Sequence, residues 1–600
     1  MNKIWPLAML SLLAACSLPP KPLPARDDGS VQPEIASGSM DKPGWTFARH
    51  AVSAAHPLAV QAGVQILQEG GTALDAAIAV QMVLGLVEPQ SSGIGGGAFL
   101  LHFDGQKLTA HDGRETAPAA ARADLFLDET GKPLPFEQAM LSGRSVGVPG
   151  LVRMLEAAHR QHGALPWARL FDKAIALAEQ GFAVGPRLHT LLQADPHLRK
   201  DPLAARLFYD AQGQAWPVGH VLRNPEYAHV LQRIAAEGSR ALHEGPVAEA
   251  IVRRTQAPPR PGSLSLQDLR QYLPREREVL CFDHDGLSQA YRICGFPPPS
   301  SGQIAIGQIM GLLARTRPMG SETWRGEPPA EFVHHYTEAS RLAFADRAQF
   351  VADPDFVPPP AGHWRSLLAP QYLQRRSLLI GPRPMQQAKP GQPGGWTTSW
   401  APMPEQPEYG TSHISVVDAQ GRAVAMTSSV EAGFGSRRMV STDASRAGGF
   451  LLNNQLTDFS FVPADTGGRP VANRVEGGKR PRSSMSPTMV FDKASGQLQM
   501  VAGSPGGGMI IHYMTRLLLG TLQQGLDPQQ TMRQPHFGTL DGTVLLEKGR
   551  WSSAIPRDLT GIGHHVHEMD MTSGLHVLQR ARAGWFGAAD PRREGIAGGQ

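Results

Sequence analysis

The sequence predicts an α+β protein, with helices concentrated in its first part and strands in its last third. Three patterns support this: apolar residues recur at helical spacing over 58–87, they alternate with polar residues over 412–417, and they alternate again over 423–429. The 600 residues are enough for several domains. The net charge of +4 is small for this length, so we expect no nucleic-acid partner.

The helical stretch is predicted to form two helices, because Gly70 and Gly71 interrupt its apolar pattern. An apolar strand is predicted over 99–103, and a further apolar helix over 304–313. The two alternating stretches flank an Asp-Ala-Gln-Gly turn. They therefore predict a β-hairpin with one buried face.

The first 16 residues, 1–16, predict an export signal. Lys3 supplies positive charge, and residues 4–13 form an apolar stretch that is too short to span a membrane as a stable helix. The Leu-Ala-Ala-Cys sequence that ends at Cys16 is typical of a bacterial lipobox, whose cysteine is diacylated and anchors the mature chain; a plain signal peptide is the alternative. Ser17 favours sorting to the outer membrane, so we expect an exported, periplasmic, lipid-anchored protein.

Residues 17–47 predict a disordered tether. They are rich in proline, serine, glycine and charge and carry few large apolar residues, so they offer little surface for a core. The folded part is therefore expected to begin at residue 48.

Cys281 and Cys294 are the two cysteines that follow the lipobox. The segment between them contains an Asp-Gly turn signal with β-favouring residues on both sides, which predicts a hairpin that would bring the sulfurs together. Export makes a disulfide possible. Two buried free thiols are the alternative.

The most informative segment begins at Gly410 and Thr411. The threonine directly follows the glycine and opens an alternating stretch, and three prolines shortly before it indicate a loop that runs into a strand. Two polar stretches, 453–460 and 480–488, follow downstream, and a glycine-rich run covers 503–508.

Together these motifs resemble the γ-glutamyltranspeptidase family, whose members cut themselves to expose a catalytic N-terminal threonine. The resemblance covers nearly the whole chain after residue 47, with several unrelated motifs in the family's order and at roughly its spacing. It implies the four-layer αββα sandwich of N-terminal-nucleophile hydrolases. It also implies a large subunit over 48–410 and a small catalytic subunit over 411–600, which share one domain as a heterodimer.

An N-terminal threonine can act without a histidine or aspartate partner. Its free α-amino group serves as the base, and the pKa of such an amine is about 7.7–8.0. Cleavage between Gly410 and Thr411 would expose this amine, through attack of the Thr411 hydroxyl on the Gly410 carbonyl. The resemblance further implies that Ser429 hydrogen-bonds the nucleophile, and that Gly506 and Gly507 supply the backbone N–H groups of an oxyanion hole.

A γ-glutamyl substrate carries both a carboxylate and an ammonium group. The resemblance assigns Arg114 to the carboxylate, for which a guanidinium is well suited, together with Ser483 and Ser484. It assigns Gln455 and Asp458 to the ammonium group, which needs acceptors.

Two departures from the family pattern concern the charge of the pocket. Glu431 stands where the family commonly has asparagine, and the loop from Arg437 to Gly449 that follows it is longer than usual and carries Arg437, Arg438 and Arg446. Arg482 adds a cation beside the serine pair. Glu431 is therefore a candidate substrate-binding residue with two possible roles: it binds the substrate's ammonium group, or it pairs with Arg437, Arg438 or Arg114. The excess of arginines favours pairing, so we expect selection for the substrate's α-amino group to be weakened.

These residues predict a self-processing γ-glutamyltranspeptidase, or glutathione hydrolase, that passes the γ-glutamyl group of glutathione or a related compound to water or an amine. A related acylase for glutaryl or cephalosporin-type amides is one alternative, and an inactive lipid-anchored binding protein is another. The chemistry requires no cofactor. The histidines over 564–567 alternate like a strand and stand without a second ligand cluster nearby in the sequence, so no metal site is expected.

Overall fold

The computed structural model of the chain describes residues 40–318, 324, 326–395, 398–540 and 542–600. Cys16 and the predicted tether up to residue 39 therefore lie outside the described residues. The strands, in chain order, are β1 (Trp45–Phe47), β2 (Ala51–Ala54), β3 (Gly97–Phe103), β4 (Leu108–Gly113), β5 (Phe182–Ala183), β6 (Val221–Leu222), β7 (Arg275–Arg277), β8 (Leu280–Asp285), β9 (Ala290–Gly295), β10 (Ser412–Val417), β11 (Ala423–Ser429), β12 (Met439–Val440), β13 (Phe450–Leu451), β14 (Thr488–Asp492), β15 (Leu498–Gly503), β16 (Phe537–Gly538), β17 (Val544–Glu547), β18 (Val566–Met569), β19 (His576–Arg580), β20 (Trp585–Ala589) and β21 (Ile596–Gly599).

The helices fall on both sides of the strand-rich centre. In chain order the α-helices are α1 (Pro57–Gln68), α2 (Ala73–Val87), α3 (Phe136–Met140), α4 (Leu151–His162), α5 (Asp172–Gln180), α6 (Pro186–Ala194), α7 (Pro202–Phe208), α8 (Pro225–Glu237), α9 (Arg240–His243), α10 (Gly245–Thr255), α11 (Leu266–Gln271), α12 (Gly302–Thr316), α13 (Ala330–Phe350), α14 (Pro370–Ser377), α15 (Ile510–Leu518), α16 (Pro528–Arg533) and α17 (Ala554–Gly561). No helix of the described part is both long and apolar enough to cross a membrane.

Two seven-stranded antiparallel sheets pack face to face at the centre of the molecule. The first has the strand order β21-β2-β10-β11-β3-β4-β7, and the second β1-β20-β19-β15-β14-β9-β8. Helices α1 and α2 cover the outer face of the first sheet, and α12 and α15 cover the outer face of the second. This arrangement confirms the predicted four-layer αββα sandwich.

Strand β10 lies at the centre of the first sheet, between β2 and β11. Ile414 and Val416 pack beneath α1 and α2, whereas Val417 faces the second sheet. The predicted hairpin of β10 and β11 is confirmed, but the expectation of one buried face is wrong. Both faces are buried, because this sheet lies between a helical layer and another sheet.

The other local predictions rest on similarly clear signals. Helices α1 and α2 are separate, and α2 begins with a capping box in which Thr72 and Asp75 exchange hydrogen bonds. Cys281 and Cys294 lie opposite each other on the hairpin of β8 and β9 and form a disulfide. The bridge therefore closes the hairpin at one edge of the second sheet.

The predicted tether is wrong over its last residues, 40–47. Strand β1 pairs with β20, and Lys42 is buried with its Nζ donating to the carbonyls of Asp590 and Arg593 at 2.7 and 2.6 Å. These C-terminal carbonyls need a donor in the interior, which Lys42 supplies. The polar composition of this segment therefore reflects buried hydrogen bonding, and the fold begins no later than residue 40.

Candidate active site

Thr411 lies directly before β10 and is 2% exposed. Its Oγ1 contacts the carbonyl oxygen of the preceding Gly410 as a hydrogen-bond donor. Ser429, at the end of the neighbouring β11, donates through Oγ to the same carbonyl at 3.2 Å. The pairing of Ser412 with Ser428 brings these two hydroxyl groups together. The nucleophile of the prediction therefore lies against the bond that it is predicted to cut.

Gly506 and Gly507 form the turn between β15 and the helical segment that contains α15. Their φ angles are 126° and 54°, in the region that favours glycine. A Cβ at Gly507 would overlap the carbonyl oxygen of Glu408, and a Cβ at Gly506 would come within 2.6 Å of the Tyr513 ring. The turn therefore packs against the chain three residues before Thr411, at a distance that glycine alone allows.

Glu431 binds the segment that precedes the cleavage site. Its Oε1 accepts a hydrogen bond from the Tyr409 backbone N–H at 3.0 Å, and its Oε2 accepts one from Asn454 Nδ2. Its own N–H donates to Ser429 Oγ at 2.8 Å. Burial, reinforced by the negative charge of Asp458, raises the pKa of Glu431 well above its ordinary value. The side chain therefore links the Tyr409 backbone to the Asn454 side chain.

The prediction that Glu431 pairs with an arginine is wrong, because the nearby arginines hold other partners. Arg437 binds the Asp195 carboxylate, with 3.0 Å between Nη2 and Oδ2. Arg438 donates to backbone carbonyls that include those of Arg254 and Ala257. These two guanidinium groups thus fasten their own loop to the α6 and α10 region, and Glu431 keeps its contacts to Tyr409 and Asn454.

Arg114, Gln455 and Asp458 form one buried cluster. Arg114 Nη2 donates to Asp458 Oδ2 and, at 2.9 Å, to the Arg482 carbonyl, while its Nε donates to the Pro481 carbonyl at 3.2 Å. Gln455 Nε2 donates to the same Asp458 oxygen at 2.8 Å. The residue predicted for the carboxylate and those predicted for the ammonium group are therefore in direct contact.

This cluster contains two buried acceptors without a donor. Within the described residues, neither Gln455 Oε1 nor Asp458 Oδ1 receives a hydrogen bond. Burial raises the pKa of Asp458 to about 6, although Arg114 opposes the shift. Unsatisfied buried acceptors are costly, so a ligand group with several N–H donors would stabilise this cluster.

The serine pair meets a second charged cluster. Ser484 Oγ donates to the carboxylate of Glu408, and Arg347 Nη2 donates both to Ser484 Oγ, at 2.7 Å, and to Glu408. Arg482 Nη2 lies 3.6 Å from Glu408 Oε1. Burial by itself would raise the pKa of Glu408, but Arg347 and Arg482 hold it at about 2. Ser483 Oγ accepts from the Met485 N–H at 3.1 Å and so orders the serine loop.

Glu408, Arg347 and Asn454 are among the residues in these contacts that the sequence predictions do not name. Asn454 lies in the polar stretch over 453–460, so that stretch was a signal for it. Glu408 lies three residues before the predicted nucleophile. Arg347 is on α13, 61 residues from Glu408 in the sequence, and no local pattern marks it.

The fold and this site define a class of enzyme. A threonine opens a central strand of two packed antiparallel sheets, and its hydroxyl contacts the carbonyl of the residue before it. A glycine turn packs beside the same segment. These features are those of the N-terminal-nucleophile hydrolases.

Comparison with known proteins places the chain within this class. Residues 59–600 match the family model described as Gamma-glutamyltranspeptidase, and the chain belongs to this family of enzymes. It is 32% identical to the glutathione hydrolase proenzyme of Bacillus subtilis (strain 168), over 100% of this chain and 99% of that protein. It is also 32% identical to the acylase ACY 1 proenzyme of Pseudomonas sp. (strain V22), over 90% and 91% of the two chains.

A solved structure shows the same fold. The cephalosporin acylase from Bacillus halodurans superposes with a TM-score of 0.78 and 24% identity, covering 97% of this chain and 99% of that chain. The similarity in fold therefore extends over both predicted subunits.

Proposed function

We propose that this chain is a self-processing glutathione hydrolase that acts on γ-glutamyl amides through Thr411. The contact of Thr411 Oγ1 with the Gly410 carbonyl, inside the family fold, carries the proposal. In processing, Oγ1 attacks the Gly410 carbonyl carbon, the peptide C–N bond breaks, and the hydroxyl proton passes to the departing nitrogen. Water then opens the ester, which leaves a carboxylate on Gly410 and a free amine on Thr411.

The processed threonine repeats this chemistry on a substrate. Its neutral α-amine takes the proton of Oγ1, which attacks the γ-carbonyl carbon of the donor. The N–H groups of Gly506 and Gly507 hold the oxyanion, and Ser429 holds the Oγ1 atom in position. The C–N bond of the donor amide then breaks, and the amine of the donor leaves with the proton held by the α-amine of Thr411. Water or a second amine takes the γ-glutamyl group from Thr411 Oγ1.

Recognition of the donor uses the two ends of the amino-acid group. Gln455 and Asp458 offer their open acceptors to the ammonium group, and Arg114, Ser483 and Ser484 form the carboxylate end. A glutaryl group lacks the ammonium and would leave both acceptors buried without donors, so γ-glutamyl donors are preferred. The acylase activity remains the second candidate, because the acylase ACY 1 proenzyme is as similar to this chain as the glutathione hydrolase proenzyme is.

We also propose that the protein is exported and anchored to the outer membrane through diacylated Cys16, with the processed large and small subunits remaining together as a heterodimer. The lipobox supports the anchor, and the mixed strand order of both sheets supports the heterodimer. Labelling with radioactive palmitate tests the anchor: the wild type should take up label, and Cys16→Ala should not. Equal labelling of both would contradict it.

A single preparation tests the enzymatic proposal. The purified mature protein should run as two fragments on a denaturing gel, and N-terminal sequencing of the smaller fragment should begin at Thr411. γ-Glutamyl anilide should be hydrolysed faster than glutaryl anilide. A faster reaction with glutaryl anilide would favour the acylase, and an uncut, inactive chain would favour a binding protein.

A further inference from the structure

Three histidines meet at the end of the first sheet that lies away from Thr411. His102 on β3 and His111 on β4 lie on the face that α4 covers, and His162 is the last residue of α4. The rings of His102 and His162 stack with 4.1 Å between their centroids, and the ring of His111 stands edge-on to that of His162 at 6.0 Å. These three residues form a histidine cluster between the sheet and the C-terminal end of α4.

The histidine cluster suits neutral rings. His102 and His111 are 2% and 3% exposed, and within the described residues the Nε2 atoms of His102 and His162 are buried without a hydrogen-bond partner. Burial, reinforced by the other two histidines, lowers the pKa of His102 to about 3. Burial also lowers the pKa of His111 to about 4, although Glu276 opposes the shift, and it lowers the pKa of His162. A proton on one ring would place a buried cation against its neighbours.

The charges around the cluster nearly balance. Asp104 and Glu276 favour charged rings, whereas Lys107 and Arg422 disfavour them. Both carboxylates already hold other donors: Glu276 Oε1 accepts from Gln161 Nε2 at 2.9 Å, and Asp104 Oδ1 accepts from the Lys107 N–H at 2.7 Å. Neither carboxylate is therefore a dedicated counter-ion for the cluster.

His159, one turn before His162, responds to acid in the opposite sense. Its Nε2 lies 3.4 Å from Asp75 Oδ1 on α2. Burial by itself would lower the pKa of His159, but the Asp75 carboxylate and the Leu165 carbonyl raise it. Acid therefore does not weaken this turn of α4, and its effect falls on the last residues of the helix.

Helix α4 joins the histidine cluster to the backbone beside Arg114. Its 12 residues span about 18 Å. Towards its other end, Met154 packs so closely on Gly113 that a Cβ at Gly113 would come within 2.7 Å of Met154 Cβ. Gly113 ends β4 and directly precedes Arg114. Displacement of α4 would therefore remove the support behind this arginine.

The segment that leads into α4 holds a second part of the recognition site. The Gly147 N–H donates to Asn453 Oδ1, and Asn453 Nδ2 donates to the Gly147 carbonyl, both at 3.0 Å. Asn453 Oδ1 also accepts from the Gln455 N–H at 2.9 Å. The position of Gln455 thus depends on a segment that α4 anchors.

We propose that the histidine cluster is an acid-sensitive clamp, which holds the end of α4 on the sheet while its rings are neutral and, when protonated, releases that end and loosens the recognition residues that α4 supports. The part that concerns activity rests on the proposed function. A released imidazole has its ordinary pKa of about 6.5 and binds a proton that the clamped ring excludes. Acid therefore favours release from about pH 6.5 down to about pH 4, and at pH 5 each released histidine shifts the equilibrium roughly 30-fold relative to pH 7.5.

Hydrogen exchange of the α4 amides measures this release without turnover. In the uncut Thr411→Ala protein, exchange at the end of α4, corrected for the intrinsic effect of pH, should rise at least about 30-fold from pH 7.5 to pH 5, while exchange in α8 changes much less. In the same background, His102→Phe keeps a ring in the stack but cannot be protonated, so it should reduce the rise about 30-fold. His111→Phe should act similarly, and cooperative urea unfolding at pH 7.5 shows that each variant has folded.

His567→Gln, which changes an exposed histidine on β18, is the matched control and should leave the rise unchanged. Equal rises in α4 and α8, no rise in α4, or a rise that both phenylalanine variants retain would overturn the proposal.

The effect on activity is measured with γ-glutamyl anilide and the processed proteins. Titration of the Thr411 α-amine lowers kcat/KM at pH 5 in every variant, so the informative quantity is the fraction of kcat/KM retained from pH 7.5 to pH 5. His102→Phe should retain a larger fraction than the wild type and His567→Gln, by up to about 30-fold, mainly through a smaller rise in KM. Equal fractions in all three would overturn the link to the site. If the wild type shows no hydrolysis at pH 7.5, the proposed function fails instead, and the exchange measurement still decides the clamp.

Discussion

The two ends of the active site are built in different ways. The end proposed to perform the chemistry consists of hydroxyl groups and backbone, with Thr411 directly before β10, Ser429 at the end of the adjacent β11, and the glycine turn beside them. The end proposed to recognise the substrate consists of charged side chains, with Arg114 contacting Asp458 and Arg482 contacting Glu408. The first end is fixed by sheet register, and the second by contacts between distant segments.

This difference teaches how one fold can serve several amides. A change of sheet register would move the buried side chains of a strand to the other face. The position of Thr411 is therefore fixed by the packing of the whole sandwich. The charged contacts come from loops and helix α13, so we expect substitutions there to leave the sheets intact. Substitution of the nucleophile should therefore abolish all activity, whereas substitution of the charged residues should change the choice of substrate. The following changes test this contrast.

The largest effect is expected at the nucleophile. Thr411→Ala removes the hydroxyl that attacks Gly410, so the chain should remain a single band on a denaturing gel and show no turnover of γ-glutamyl anilide. Thr411→Ser keeps a hydroxyl and should still cleave itself. Fragments of the expected sizes from Thr411→Ala would show that another group performs the cut.

The next largest effect is expected at Glu115, which follows Arg114 in the chain and has its Oε2 3.8 Å from Arg114 Nη1. Glu115 is fully buried, and burial raises its pKa from 4.5 to about 8, although Arg114 opposes the shift. Below pH 4.5 both the folded and the unfolded states hold this proton. Above it the unfolded state ionises first, so the free energy of unfolding falls until the pH passes the folded pKa, with a slope of up to about 1.4 kcal/mol per pH unit.

Urea unfolding of the uncut Thr411→Ala protein at pH 5 and pH 8 measures this slope. Glu115→Gln, in the same background, should show a smaller fall between the two values because glutamine does not titrate. A fall of the same size in both proteins would mean that Glu115 is ionised in the folded state.

A smaller loss is expected at the disulfide, which lies at the edge of the second sheet. Replacing Cys281 and Cys294 by alanine frees the unfolded chain from a closed loop of about 14 residues, so the uncut protein should lose about 3 kcal/mol in its free energy of unfolding. Self-cleavage and kcat/KM should stay near wild type. Reduction of the unsubstituted protein is the matched control, and a loss of activity in either case would tie this edge to the site.

The smallest effect concerns Glu431, which belongs to both ends. Glu431→Ala removes the acceptor for the Tyr409 N–H next to the cleavage site, so self-cleavage should slow on the order of tenfold, the cost of one buried unpaired donor. Glu431→Gln keeps an oxygen for Tyr409 but turns an NH₂ group towards Asn454, and should cleave at an intermediate rate. A time course on gels compares them, and identical rates for all three proteins would exclude a role for this contact.

The sequence indicates the chemical end of the site far better than the recognition end. Thr411 is visible because a glycine, a loop and an alternating stretch mark it locally, and the hairpin and the disulfide are confirmed for the same reason. The contacts of Glu408 with Arg347 join segments far apart in the chain, and no local period reports them.

Glu431 shows why closeness in sequence misleads. Arg437 and Arg438 follow it within a few residues, yet they bind Asp195 and backbone carbonyls elsewhere. The backbone at Glu431, Phe434 and Arg437 has positive φ angles, which turn the chain so that neighbouring side chains point to different partners. Positive φ angles are usually signalled in a sequence by glycine. At these three residues the sequence therefore gives no sign of the turn.

Both sheets take strands from each side of the Gly410–Thr411 bond. In the first sheet β2 lies between β10 and β21, and in the second β9 pairs with β14. A cut at that bond therefore leaves two polypeptides interwoven through shared hydrogen bonds, although they folded as one. After unfolding, the two polypeptides would have to reassociate as separate molecules. The stability of the processed protein would therefore be kinetic, set by its unfolding rate.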